Sequence, residues 1–221
     1  MKTNIIVALC DNNGIGYKQS IPWRLKDDLK QFSKLTTGTG NNAIVMGRKT
    51  WESLPKKPLP NRVNIVLSRM YKKQDLENYD NTILCKSIMD VKKISNENNY
   101  DDLWIIGGEN IYKTFLNYKI DYLYVTHIEN TYECDTFFPK IPSLFLIEKQ
   151  SRKYDTKNKF FYSYIKYKRI MLGDILFCKV KKNKKTVCEV KKIKKTNKDY
   201  VFTIQIGYTY YNVPLNLLSY D

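Results

Sequence analysis

The sequence is poor in the residues that build metal centres and extracellular scaffolds. It has one histidine and five cysteines, Cys10, Cys85, Cys134, Cys178 and Cys188, odd in number, widely spaced and without a CxxC pair. That argues against a zinc site and for reduced thiols in a cytosolic or equally reducing compartment. Long apolar runs are missing too. Ile5–Cys10 is the longest near the start, too short for the core of a signal peptide, and no later run approaches a membrane span. Neither secretion nor membrane insertion is expected. Alanine occurs only at Ala8 and Ala43, while Lys, Asn, Ile and Tyr abound. This is the signature expected of an A/T-rich genome, and base composition at the coding locus would check it. It also tempers the charge: 38 basic minus 22 acidic residues gives +16, a balance that otherwise invites a nucleic-acid partner.

With 221 residues, 43% hydrophobic and 27% charged, the chain is expected to be globular, as one domain or one plus a small appendage. Short runs rich in Ile, Val, Leu and Tyr at Asn4–Cys10, Asn42–Met46, Arg62–Ser68, Leu103–Ile106 and Asp121–His127 read as buried strands. Helical patterns fall between them at Lys26–Thr36, Lys49–Leu54, Ile88–Ser95 and Asn110–Asn117. Alternation of this kind predicts an α/β sheet. Leu144–Lys149 and Phe160–Lys168, with no helix between them, are expected as an antiparallel pair closing the sheet edge. After Arg169 the character changes. Asp174–Val180, Thr186–Ile193 and Tyr200–Val213 are strand-like, Phe202, Ile204, Ile206, Tyr208 and Tyr210 alternate as for one sheet face, and a helix signal returns only at Leu215–Leu218. The boundary falls near Arg169–Gly173.

On a helix through Leu25, Leu29, Phe32 and Thr36, Asp28 falls inside the apolar stripe, whereas Asp27 sides with Arg24, Gln31 and Lys34. A carboxylate there is costly unless something satisfies it. It is either a helix N-terminal acid bonded to nearby amides or a pocket acid that receives paired donors from a flat nitrogen heterocycle. Other motifs converge on strand ends: Val7–Gly16 runs into a glycine loop, Val45–Trp51 and Val66–Arg69 end strands with basic and hydroxyl groups, and Trp104–Tyr112 holds a Gly-Gly pair before a helix. In open α/β sheets ligands gather at the carboxyl ends of strands. Glycines let backbone approach a pyrophosphate, helix starts offer amide donors, and Arg48, Lys49 and Arg69 could hold a further phosphate.

Together, and in this order, these segments resemble dihydrofolate reductase over about residues 3–168. The resemblance rests on Gly14-Ile15-Gly16, Ile21-Pro22-Trp23, Asp28, Met46–Ser53 and Ile106-Gly107-Gly108, with Leu123–Ile128 and Asp135–Pro139 as further landmarks. It implies an α/β fold with a mostly parallel central sheet, flanking helices and an antiparallel C-terminal edge over 1–169. It also implies NADPH-dependent reduction of dihydrofolate to tetrahydrofolate, and NADPH bound without the G-x-G-x-x-G fingerprint, which is absent. Asp28 would bond the pterin, with Thr126 completing that network and Trp23 and Ile21 beside it. Val7, Ala8, Leu29, Phe32, Leu54, Leu59, Ile106 and Tyr112 would wall the substrate pocket. Arg62, one of only six Arg, would pair with the carboxylate of the folate tail, a bidentate task. Ala8, Ile15, Gly16, Gly47, Arg48, Lys49, Thr50, Leu67, Ser68, Arg69, Gly107, Gly108, Glu109, Asn110, Ile111 and Tyr112 would surround NADPH, with Gly107–Gly108 a cis peptide. The 12–21 loop would be the lid, with Gly14 and Gly16 as its flex points. The related riboflavin-pathway reductases are disfavoured by Pro22-Trp23 and Asp28. His127, next to Thr126 on a strand, would point to the opposite face as a structural histidine, and Trp51 and Trp104 read as core.

Residues 170–221 lie outside the resemblance and read as a small all-β module, SH3-like or Tudor-like. Met171–Asp221 has ten Lys and four acids, and nine of those Lys fall between Lys181 and Lys198. Interleaved with Tyr200, Phe202, Tyr208, Tyr210 and Tyr211, they could bind nucleic acid. The plainer reading, a basic β module for dimer contact or packed on the reductase, is preferred, with a monomer favoured slightly over an oligomer. A rival for the whole chain is a nucleic-acid-binding protein on a retired reductase scaffold, but the intact set Asp28, Trp23, Arg62, Thr126 and both glycines favours the enzyme. The expected location is cytoplasmic, or the host cytoplasm if the source is viral.

Overall fold

Ala43, Ile44, Val45 and Met46 are all fully buried, as a strand must be when both sheet faces are covered. They belong to a computed structural model that describes residues 1–181, 184–196, 199–206 and 208–220. The chain order is β1 (Lys2–Cys10), β2 (Gly14–Gly16), α1 (Lys26–Thr37), β3 (Ala43–Gly47), α2 (Arg48–Ser53), β4 (Val63–Leu67), β5 (Thr82–Cys85), α3 (Ile88–Glu97), β6 (Asp102–Gly107), α4 (Glu109–Phe115), β7 (Tyr122–Ile128), β8 (Thr136–Phe137), β9 (Phe145–Asp155) and β10 (Phe160–Arg169). After these come β11 (Ile175–Lys181), β12 (Lys184–Lys195), β13 (Tyr200–Ile206), β14 (Thr209–Val213) and β15 (Leu218–Ser219), with a short 3-10 turn at Leu215–Leu217.

The chain divides into two units: Met1–Pro139 with Arg152–Tyr164, and Lys140–Ser151 with Ile165–Asp221. One sheet is ordered β5-β4-β3-β6-β1-β7-β10-β9, and all its strands from β5 to β7 in that order belong to the first unit. Strands β5 to β7 in that order are mutually parallel, so their carboxyl ends share one edge, and the β9–β10 hairpin closes the series. β5 was not expected. Its Thr82–Cys85 segment is four residues long, too brief to show a period. Helix starts follow local chemistry. In α3, Ser87 Oγ accepts from Asp90 N at 3.2 Å and the Asp90 carboxylate accepts from Ser87 N at 2.9 Å, a reciprocal cap. Helix α1 stops at Gly38, whose φ of +55° suits glycine.

The second unit holds an antiparallel sheet ordered β14-β13-β12-β11-β15. Leu176, Cys178, Cys188, Val190, Phe202, Ile204, Val213 and Leu218 form its buried face. Asp174 gathers its entry segment: it accepts from Met171 N at 2.9 Å and from the Tyr220 hydroxyl at 2.8 Å, and lies 3.5 Å from Lys168. The single-face reading of residues 202–210 is overturned. Tyr210 sits opposite Gln205 in the ladder, on the face that Phe202 and Ile204 avoid, because a reversal between β13 and β14 splits the segment. Tyr208 and Tyr210 are exposed. Gly207, Lys182 and Lys198 lie outside the described residues.

Candidate active site

The common edge of the parallel strands gathers most of the expected residues. Thr126, on β7 beside Ala8 of β1, is buried and donates its hydroxyl to Asp28 Oδ1 at 2.6 Å. Asp28 lies in the first turn of α1 and is half-buried. Burial lifts its carboxyl above the usual Asp range, and the Thr126 bond pulls it back. The partner that the fold gives the Asp28 carboxylate is thus a distant hydroxyl, 98 residues on, and not a neighbouring helix amide. Asp27 faces elsewhere, accepting from Tyr162 at 3.2 Å. His127, the next residue on β7, turns away and meets Asp11 at 2.9 Å.

The apolar residues expected around this acid differ in burial. Trp23 is buried with Cys10, Leu25, Ile128, Phe160 and Tyr162, with Ala8 packed against them, and its ring lies 5.4 Å from Tyr132. Val7 is buried. Phe32, Leu54, Leu59 and Ile106 are partly buried against the cluster that contains Ile6, Met46 and Trp51. Leu29 and Ile21 are more than half exposed, at 54% and 57%. Trp51 and Trp104 are core.

Arg62 is 6% exposed. Its Nε donates to Pro60 O at 2.8 Å and its guanidinium also reaches the Thr36 hydroxyl, which in turn donates to Phe32 O at 2.7 Å. Burial lowers its affinity for its proton. Among the described residues no carboxylate lies within ion-pair distance of it. The loop that carries it is built on Asn64, fully buried, whose amide bonds Leu59 N at 3.0 Å, Leu59 O at 2.9 Å and Arg62 O at 3.1 Å. Thr36 and Asn64 are the supports that sequence reasoning missed; a polar residue inside a buried stretch was the available signal.

At the neighbouring strand ends three glycines are closely packed by side chains. Gly107–Gly108 is a cis peptide. Gly107 has φ +110°, and a Cβ there would lie 2.9 Å from the Tyr112 ring. One on Gly47 would meet Ile111 at 3.0 Å, and one on Gly108 would meet Thr50 Oγ1 at 3.3 Å. Tyr112 is buried and donates to Ile6 O at 2.9 Å. Burial, then the charge of Asp28, raise its pKa, which places the phenol within electrostatic reach of that acid. Ser68 Oγ accepts from Met70 N and Tyr71 N, each at 3.2 Å. Leu67 and Ile15 are half-buried, Asn110 is exposed, and Gly16 pairs with Thr136 of β8. Arg48 Nη1 already donates to both carboxylate oxygens of Glu52, at 2.6 and 2.9 Å, whereas Lys49 and Arg69 are exposed. Glu109 is bound by Lys113 and by Phe137 N, and the Lys113 bond holds its carboxyl below the usual Glu range. Gly14 is less a hinge than a spacer, since a Cβ would come 2.3 Å from Cys134 Sγ. Among the described residues no cluster of His, Cys, Asp and Glu could hold a metal, and no helix is long and apolar enough to cross a membrane.

The profile of the family described as dihydrofolate reductase matches residues 2–169. The chain belongs to the dihydrofolate reductase family. It is 42% identical over 153 residues to a dihydrofolate reductase of Drosophila melanogaster, covering 66% of this chain and 83% of the relative. Against a dihydrofolate reductase of Aedes albopictus it is 39% identical over 160 residues, 67% of this chain and 84% of that one. It is also 40% identical over 149 residues to a viral dihydrofolate reductase of Saimiriine herpesvirus 2, 62% of this chain and 68% of the relative. As a family member this reductase is an oxidoreductase that converts dihydrofolate to tetrahydrofolate with a nicotinamide cofactor. The glycines at 47, 107 and 108 and the exposed cations Lys49 and Arg69 fit such a dinucleotide: strand ends without side chains of their own, and exposed charge for its phosphates.

Proposed function

We propose that the cofactor is NADPH and that Asp28 organises reduction of the pterin at C6 with protonation at N5. The observation that carries this is the half-buried Asp28 carboxylate joined to the Thr126 hydroxyl at 2.6 Å, facing strand ends where Tyr112 and Gly107 meet. When bound, the nicotinamide supplies the hydride; the remaining chemistry falls to the chain. Asp28 accepts the paired N–H donors of the pterin edge, fixes the ring and favours a protonated N5, with water delivering the proton. Trp23, Ala8, Val7, Phe32, Leu54, Leu59 and Ile106 wall the ring and its benzoyl extension, with Leu29 and Ile21 at the mouth. Arg62, a buried cation without a carboxylate, takes the glutamate tail as a fork. Gly47, Thr50, Gly107, Gly108, Asn110 and Ile111 line the dinucleotide, and Lys49 and Arg69 hold its extra phosphate. Arg48 joins them by exchanging Glu52 for that phosphate.

The test is NADPH consumption with dihydrofolate on purified protein, wild type against Asp28→Asn. Turnover should fall roughly 10²-fold or more in the variant with the fold kept. Unchanged turnover would remove Asp28 from the mechanism, and no turnover in the wild type would remove the NADPH assignment. We place the protein in a reducing, cytoplasmic compartment, consistent with five free thiols, as a monomer with domains 1–169 and 170–221.

For residues 170–221 one observation favours a second role. The exposed face of its sheet sets Lys192 beside Thr203 and Asn212, and Glu189 beside Gln205 and Tyr210, with Lys185, Val187 and Lys194 exposed. A basic, SH3-like or Tudor-like face carrying an exposed tyrosine suits a single-stranded nucleic acid. Binding of a mixed-sequence oligonucleotide that weakens steeply with salt would support this; no binding at low salt would end it.

A further inference from the structure

Four of the five thiols are buried; Cys134 alone is partly exposed. Its sulfur lies 4.0 Å from that of Cys10, at the end of β1. Both sulfurs are wrapped in the first turn of the 12–21 loop. The Cys10 thiol donates to Asn12 Oδ1 at 3.0 Å and sits 3.5 Å from Gly14 O, and Gly14 N donates to the same Asn12 oxygen at 3.0 Å. The Cys134 side chain occupies the space that a Cβ on Gly14 would need. The loop and the 132–138 segment are otherwise joined by hydrogen bonds alone: Asn12 Nδ2 to Tyr132 O at 3.2 Å, Asp135 N to Gly16 O at 3.0 Å, Phe138 N to Asn13 O at 2.8 Å and Lys18 N to Asp135 Oδ2 at 2.8 Å. Such bonds break and re-form as a loop opens; a covalent bond does not.

We propose that Cys10 and Cys134 form an oxidisable dithiol, a modification site whose disulfide ties the end of β1, where the 12–21 loop departs, to the segment leading into β8. The effect on turnover rests on the reading of that loop as the lid of the reductase site. The oxidant class is a peroxide, which reaches Cys134 first. The Cys134 thiolate attacks one peroxide oxygen, the O–O bond breaks, and the sulfur becomes a sulfenic acid as the other oxygen leaves as water. The Cys10 thiolate then attacks that sulfur, the S–S bond forms, the S–O bond breaks and a second water departs. The two thiols lose two electrons and two protons, all accepted by the peroxide. Burial and then the neighbouring Cys10 push the Cys134 thiol up to about 11, so that sulfur rests as a thiol and reacts under a heavy oxidant load rather than with trace oxygen.

The experiment treats the full-length wild type and the Cys134→Ser and Cys10→Ala variants with hydrogen peroxide, maps crosslinked peptides, and follows dihydrofolate-dependent NADPH oxidation. A Cys10–Cys134 peptide, a several-fold fall in turnover and recovery with dithiothreitol are expected in the wild type, with both variants resisting the loss. Absence of that peptide, or a Cys178–Cys188 link in its place, overturns the proposal. A complete crosslink with undiminished turnover overturns the fastening of a lid. Peptide mapping needs no activity, so an inactive untreated protein would count against the reductase reading alone.

Discussion

Replacing Thr126 with Val keeps the buried volume near constant and removes one donor, the hydroxyl 2.6 Å from Asp28 Oδ1. Two opposed effects set the Asp28 carboxyl: burial raises it and this bond lowers it. A hydrogen bond to a charged group contributes about 1.5–3 kcal/mol, and because Asp28 is only half-buried the low end applies. At about 1.36 kcal/mol per pH unit, the Asp28 midpoint in the ligand-free protein should rise by about one unit in Thr126→Val. The same shift has a stability consequence with a fixed sign. A carboxyl whose folded midpoint lies above its unfolded one is stabilising to the fold at acid pH and loses that contribution as pH rises through the folded midpoint. The variant widens that window upward, so the stability gap between wild type and variant should grow by about 1.4 kcal/mol from acid to neutral pH. Carboxyl ¹³C titration reads the midpoint, and urea unfolding at both pH extremes reads the gap. A midpoint that stays put or falls, or a gap that narrows with pH, would refute the assignment of this hydroxyl to the ionised acid.

Asp28→Asn should stabilise the ligand-free fold at neutral pH by about 1 kcal/mol while it abolishes most turnover, the trade expected when a buried charge is kept for function; thermal unfolding checks the first half. Arg62→Lys cannot reproduce the fork that bonds Thr36 and Pro60, so KM for dihydrofolate should rise about tenfold or more with kcat little changed. Equal losses in kcat and kcat/KM would instead place Arg62 in the chemical step. Ser87→Ala removes the reciprocal cap of α3 and should cost about 1 kcal/mol in denaturant unfolding, with activity intact.

Much of the site could be read directly because two periodicities disagreed with polarity. Asp28 stood on an apolar helical stripe, and it does face inward to Thr126. The alternation of Thr126 and His127 along one strand separated a pocket residue from a structural one, and the structure points His127 at Asp11. What stayed hidden depends on contacts between distant segments. The Arg62 fork is completed by Thr36 on α1, the Tyr112 hydroxyl by the Ile6 carbonyl, and the Cys10 sulfur by Cys134. No local pattern encodes those meetings. The alternation from Phe202 to Tyr210 misled for a related reason: period two runs unbroken through a reversal, yet the reversal exchanges the faces.

Strand β1 lies between β6 and β7, with Lys2 opposite Asp102 and Asn4 opposite Tyr122. Strand β1 therefore has no partner on one side until β6 at Asp102–Gly107 has been made, and none on the other until β7 at Tyr122–Ile128 follows. Loop closure over such spans is slow, and Ile5, Ile6 and Val7 must wait in contact with water or a chaperone meanwhile. Slow refolding from urea and aggregation of chains truncated before β7 are the natural cost of placing the opening strand at the centre of the sheet.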